Sequence, residues 1–187
     1  MAKELRKKYQ IKIGLIGASP PIWRRLFIAD SVPLSKLHEV IQVAMGWYNC
    51  HLHQFIVDGR YYGTPDPADD FGETLDEKKY RLNQFLKREK DAIVYEYDFG
   101  DSWEHKITLE KVLPFDPAET LPRCIKGKGA CPPEDVGGID AFRDFVAALN
   151  DPMHPAHNEY LEWVGGEYDP RSFDLDQINE RLLRVYR

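Results

Sequence analysis

The chain has 187 residues, 43% of them apolar and 30% charged, the profile of an ordinary globular domain with one core. Its formal charge of −6 argues against a large nucleic-acid footprint, so duplex nucleic acid is not an expected partner. Three cysteines, Cys50, Cys124 and Cys131, are too few for a disulfide framework, and no run reaches the ~20 apolar residues of a membrane span; a reduced, cytoplasmic protein without membrane contact is expected.

The start, MAKELRKKYQIKIGLIGASP, pairs basic residues with an apolar stretch, yet Tyr9, Ile11, Ile13 and Leu15 alternate as a strand does. Gly17 to Pro21 break that pattern and IWRRLFIA resumes it, which predicts a second strand. One of Arg24 and Arg25 must then share a face with core-directed residues, as a solvated edge arginine or as a ligand clamp. PLSKLHEVIQVAMGW reads as a helix on the stripe Leu37, Val40, Ile41, Ala44 and Met45, ended by Gly46, with His38 off the stripe and exposed. In HLHQFIVDGRYYG, Asp58-Gly59 supplies a type I′ turn that pairs Val57 with Arg60 and Phe55 with Tyr62. Thr64 to Lys79, rich in Pro and Asp, reads as a mobile surface loop, and RLNQFLKREK as a short helix at most. GIDAFRDFVAALN presents Ile139, Phe142, Phe145, Val146 and Leu149 on one face, and a shorter helix surrounds EYLEWV. Asp174 caps the last helix with Gln177 three residues on, flanked by a Phe173–Ile178 staple. The expectation is one α+β domain spanning the chain, a largely antiparallel sheet of hairpins covered by helices.

YEYDFGDSWEHKITLE, Tyr95 to Glu110, places acids and a histidine among aromatic residues. With Gly100 as the first central residue of a two-residue II′ turn, Asp98 pairs with Trp103, Glu96 with His105 and Val94 with Ile107. Directly opposed residues project to one side, so Glu96 becomes the partner that a buried His105 needs. Asp98 and Asp101 border the turn, where a site could open or where Asp simply bonds nearby backbone.

Several residue types here can carry chemistry. His51 and His53, two apart on a strand, have a spacing that metals use. Cys124 and Cys131 are too widely separated for a usual zinc pair and read as free thiols. Glu134 and Asp135 precede the Gly137-Gly138 bend into a helix, where acids also meet the helix dipole. Convergence of His51, His53, Asp98, Asp101, His105, Glu134 and Asp135 would make a divalent-metal or acid–base cluster, with Trp103 and Arg25 lining a pocket beside it. No organic cofactor is expected. The leading expectation is a non-enzymatic binding or adaptor module, monomeric or a small homo-oligomer, for a protein or small-molecule partner. The alternative is a metal-dependent hydrolase.

PPIWRRL, the helix ending in MGW, HLHQF, YDFGDSWEH, CPPEDVGG and YDPRSFDLDQIN occur in this order along the chain. Over about Tyr9 to Leu183 they resemble the Ri-plasmid ORF-three-like family, some of whose members are labelled transposon-passenger TnpR-like or resolvase. The resemblance implies a compact α+β domain and a link to plasmid or mobile-element biology, and it brings no catalytic residues with it. The resolvase label does not fit the residues: serine recombination needs an activated serine among arginines and a DNA-reading helix, and no basic recognition helix is visible.

Overall fold

A computed structural model describes residues 7–66 and 74–185. Eight strands form one sheet: β1 (Lys7–Leu15), β2 (Trp23–Ala29), β3 (His53–Val57), β4 (Arg60–Gly63), β5 (Leu75–Asp76), β6 (Ala92–Tyr97), β7 (Trp103–Pro114) and β8 (Arg123–Lys128). Their order across the sheet is β5-β4-β3-β6-β7-β1-β2-β8, antiparallel except for β4 with β5. Four helices lie among the described residues: α1 (Leu34–Met45), α2 (Gly138–Asn150), α3 (His157–Trp163) and α4 (Leu175–Leu182). The α+β expectation holds, and none of the described helices is long and apolar enough to cross a membrane.

Alternation decides the layering. In β1 and β2, Ile11, Ile13, Leu26 and Ile28 are fully buried, whereas their neighbours Gln10, Lys12, Arg25 and Phe27 face the other way and keep some exposure. Leu34, Leu37, Val40, Ile41 and Ala44 of α1, with Phe142 and Phe145 of α2, close the core over the buried face. Gly46 ends α1 in the left-handed region at φ 108°, and Asp174 caps α4 by accepting the Gln177 amide at 2.9 Å. The Asp58-Gly59 turn gives the expected pairing of Val57 with Arg60 and of Phe55 with Tyr62.

Four expectations are corrected. His38 is buried, because it turns from the apolar stripe of α1 into a polar seam between helix and sheet. Of the arginine pair, Arg24 faces inward at 2% exposure, its guanidinium bonding the carbonyls of Ala44, Trp23 and Lys128. Arg25 faces outward, forked onto Glu110 at 2.5 and 2.7 Å, so Arg25 and the core-facing Trp103 line no common pocket. The segment expected as a loop before residue 80 pairs as β5 and then makes a 3₁₀ turn over Glu77–Lys79, while its residues 67–73 lie outside the described ones.

The fourth correction is the register of the β6–β7 hairpin. Tyr95 opposes His105, Glu96 opposes Glu104 and Tyr97 opposes Trp103, one residue away from the expected pairing. The loop is five residues long, Asp98 to Ser102, and its left-handed positions are Asp98 (φ 59°) and Ser102 (φ 52°) rather than Gly100. Asp98 tolerates that conformation because its own Oδ1 accepts the Gly100 amide at 3.0 Å. A one-residue slip turns every side chain of β6 over. Tyr95 and Tyr97 therefore pack inward, while Glu96 bonds Gln54 and Ser102 on the far side of the sheet from His105. Glu96 and His105 are not a pair.

Candidate functional site

At one end of the sheet three segments meet: the chain between α1 and β3, the β6–β7 turn, and the residues leading into α2. Each is held by identifiable bonds. The Trp47 indole donates to the Pro132 carbonyl at 3.1 Å, the Tyr48 amide donates to Glu134 Oε1 at 2.9 Å, and the Cys50 amide donates to the Tyr97 hydroxyl at 3.0 Å. That hydroxyl donates onward to Glu134 Oε1 at 3.2 Å; burial and then the Glu134 charge hold the Tyr97 phenol well above its usual range. The Asp98 amide donates to the Leu52 carbonyl at 2.8 Å, and Asp101 Oδ2 accepts the Gly137 amide at 3.0 Å. Gly138 is required at φ 81°, where a Cβ would stand 2.7 Å from the Asp101 carbonyl oxygen.

A closed ring of hydrogen bonds fixes the approach to His51. Gln42 Nε2 donates to the Tyr95 hydroxyl at 3.0 Å, and the Asn49 amide donates to Gln42 Oε1 at 3.0 Å. His38 lies 2.8 Å from Asn49 Oδ1 through Nε2 and 2.8 Å from the Tyr95 hydroxyl through Nδ1. Because Asn49 offers an oxygen, the His38 proton sits on Nε2, and Nδ1 accepts from Tyr95. The ring stays neutral: burial, then the nearby His53, pushes the His38 pKa down to about 3.

This frame gathers His51, Asp98, Glu134 and Asp135. His51 Nε2 stands 3.1 Å from Asp135 Oδ1, 3.6 Å from Asp98 Oδ2 and 3.8 Å from Glu134 Oε2. It is sealed from solvent, yet none of these approaches has hydrogen-bond geometry. The Asp98 and Glu134 carboxylates are largely buried at 11% and 14% exposure, and among the described residues their ion pairs are with His51 alone. Asp135 is held at φ 59° with its carboxylate 73% exposed, so the cluster opens to solvent on that side. Ligand atoms of His51, Asp98 and Asp135 all lie within 4.8 Å of one another.

The other three expected members lie elsewhere. His53 Nε2 bonds Glu77 Oε2 at 2.9 Å, and its ring stacks on that of His38 at 3.4 Å between centroids. Asp101 serves the start of α2 rather than the cluster. His105 is wholly buried, edge-on to Trp47 with ring centroids 5.1 Å apart, and neither ring nitrogen finds a hydrogen-bond partner. Burial, with the Arg24 charge adding to it, pushes the His105 pKa down to about 4. Glu77, Asn49 and Gln42 were missed in the sequence because polar residues at such positions ordinarily face solvent; nothing local marks Glu77 and Asn49 as partners of His53 and His38, or Gln42 as the link between Tyr95 and Asn49.

A mixed β-sheet covered by helices, with a histidine–carboxylate cluster at its end, defines a small α+β protein built around a candidate ligand site. The chain belongs to the plasmid pRiA4b ORF-3-like family, whose model matches residues 7–177. It is 37% identical over 176 residues to an uncharacterized protein, y4hQ, of Sinorhizobium fredii, covering 92% of this chain and 89% of that one. A crystal structure of MM3350, a protein of unknown function from Methanosarcina mazei Go1, has the same fold at a TM-score of 0.82 and 32% identity, over 92% of this chain and 97% of that one. These similarities lend no support to the hydrolase expectation.

Proposed function

We propose that the protein is a non-enzymatic binding module whose cluster of His51, Asp98, Glu134 and Asp135 takes a divalent cation. One observation carries the reading: a solvent-sealed imidazole nitrogen without a hydrogen bond, facing three carboxylates. A buried polar nitrogen left unbonded costs about 1–3 kcal/mol, and massed carboxylates without a cationic side chain repel one another. A cation answers both costs at once. Ligand atoms ~2.1 Å from a metal sit about 3.0 Å apart in octahedral and about 3.4 Å apart in tetrahedral coordination. The 3.1, 3.6 and 3.8 Å contacts of His51 Nε2 require only small side-chain movements to match. One imidazole with several carboxylates favours Mn²⁺, Fe²⁺ or Zn²⁺ over Mg²⁺ or Ca²⁺, which take oxygen-only shells. Asp135, 73% exposed, opens the cluster to solvent beside a hollow that it shares with Tyr160 and Trp163. The bound ion would tie together the three segments that form the site, and the plasmid origin in the family's name supports a role in plasmid or mobile-element biology.

The test is calorimetric titration of chelator-stripped protein with Mn²⁺ and Zn²⁺, alongside Asp98→Asn and His51→Ala. One equivalent per chain is expected, weakened at least about tenfold by either substitution (about 1.4 kcal/mol). Binding that survives both substitutions unchanged would refute the site.

A further inference from the structure

The face of the sheet turned away from the core carries a charge opposite to that of the whole chain. Pairing across β7, β1, β2 and β8 sets its residues in rows. Lys106, Gly14, Trp23 and Lys128 form one row, and Thr108, Lys12, Arg25 and Lys126 the next. Gln10, Phe27 and Arg123 form a third. Successive rows lie about 6.6 Å apart along the strands, and neighbouring strands about 4.8 Å apart. Trp23 occupies the centre of this face, opposite Gly14. Arg25 and Lys12 stand 5.0 and 5.3 Å from the indole centroid. Glu110 neutralises Arg25, but among the described residues no carboxylate pairs with Lys106, Arg123, Lys126 or Lys128. Arg25 of β2 and Arg123, Lys126 and Lys128 of β8 thus share one surface, while Arg24 faces the core.

We propose that this sheet face binds single-stranded nucleic acid, its lysines and arginines meeting phosphates while Trp23 stacks on a base. Charge complementarity selects a polyanion: Lys12, Arg25, Lys106, Arg123, Lys126 and Lys128 outnumber Glu96, Glu104 and Glu110 on this face of a chain whose net charge is −6. The aromatic rings narrow the choice. An acidic peptide makes no use of flat rings among cations, whereas unpaired bases stack on aromatic and guanidinium planes. A membrane surface would require protruding apolar side chains, and the most exposed ones, Tyr48, Leu52 and Met153, lie outside these strands. Duplex DNA presents its bases already stacked, and the face of a broad sheet, unlike a helix or a two-stranded ribbon, enters neither groove.

Fluorescence anisotropy with labelled oligouridine and oligothymidine of about 15 nucleotides tests the proposal. Mixed-sequence duplex and polyglutamate of equal length serve as competitors. Micromolar binding of the single strands is expected near 50 mM salt, weakening about 50-fold by about 200 mM if four phosphates are neutralised. Trp23→Ala should weaken it at least about fivefold without altering the salt slope. Lys126→Glu with Lys128→Glu, on an edge strand away from the core, should reduce the slope itself. Should Trp23→Ala fail to fold, the double lysine variant decides. Equal competition by polyglutamate or by duplex, or single-strand binding indifferent to both sets of substitutions, would overturn the proposal.

Discussion

Replacing His105 by leucine separates the electrostatic cost of this buried ring from its packing. Folded His105 titrates near 4, pushed down by burial, against 6.5 for an ordinary histidine. Above pH 6.5 neither the folded nor the unfolded ring holds a proton, and the stability associated with the neutral ring is complete. As the pH falls through 6.5 the unfolded chain gains a proton that the folded chain refuses, so stability declines until the native ring itself titrates near 4. Each unit in that window costs about 1.4 kcal/mol: about 2 kcal/mol by pH 5 and about 3 kcal/mol at the plateau. The leucine variant lacks this term. It also removes two buried ring nitrogens without hydrogen-bond partners while roughly conserving volume, so at pH 7 it should be as stable as the parent or more so by up to about 3 kcal/mol. Urea denaturation followed by tryptophan fluorescence at pH 7.5, 6, 5 and 4.5 measures the difference. His38, whose folded pKa is also depressed, contributes to both proteins and cancels in the comparison. Stability curves for parent and variant that stay parallel from pH 7.5 to 4.5 would refute the reasoning.

Two further substitutions probe the frame around the site. His53→Ala strips Glu77, 3% exposed, of its imidazole partner; denaturant titration should show a loss of about 1–3 kcal/mol, with cation binding at His51 unaffected. Gly138→Ala should cost at least about 2 kcal/mol, because the new Cβ meets the Asp101 carbonyl in left-handed backbone. Gly59→Ala, equally left-handed at φ 75° with nothing within 4 Å, should cost only about 1 kcal/mol, so equal losses at the two glycines would remove the steric explanation.

The elements themselves were legible because each rests on a local rule. The stripe of α1, its terminating Gly46, the Asp58-Gly59 turn and the Asp174 cap all depend on residues within a few positions of one another. The β6–β7 register failed where two local rules competed. Gly100 invited a two-residue turn, but Asp98, bonding its own turn amides, accepts left-handed backbone and lengthens the loop. Burial also favours the observed register, since it sends Tyr95 and Tyr97 inward where the expected pairing would have buried Glu96.

The candidate site was legible as a set of residue types but not as a geometry, and the same hairpin explains why. Asp98 reaches the cluster from the first residue of the longer loop, free of the strand's alternation, whereas in a two-residue turn it would have stood opposite Trp103 within the ladder. His51 likewise precedes β3, so strand parity does not set its direction, and the ring of Gln42, Tyr95, His38 and Asn49 holds the chain two residues before it. His53, two residues on, obeys that parity and turns to Glu77. Two histidines that read as a pair in sequence are thus separated by the point at which the strand begins. The strain of αL backbone at Asp98 and Asp135, about 1 kcal/mol or more each, falls on two of the four clustered residues. At Asp98 the bond from the Gly100 amide offsets part of that strain. The cation proposed for the cluster would draw on both carboxylates at once.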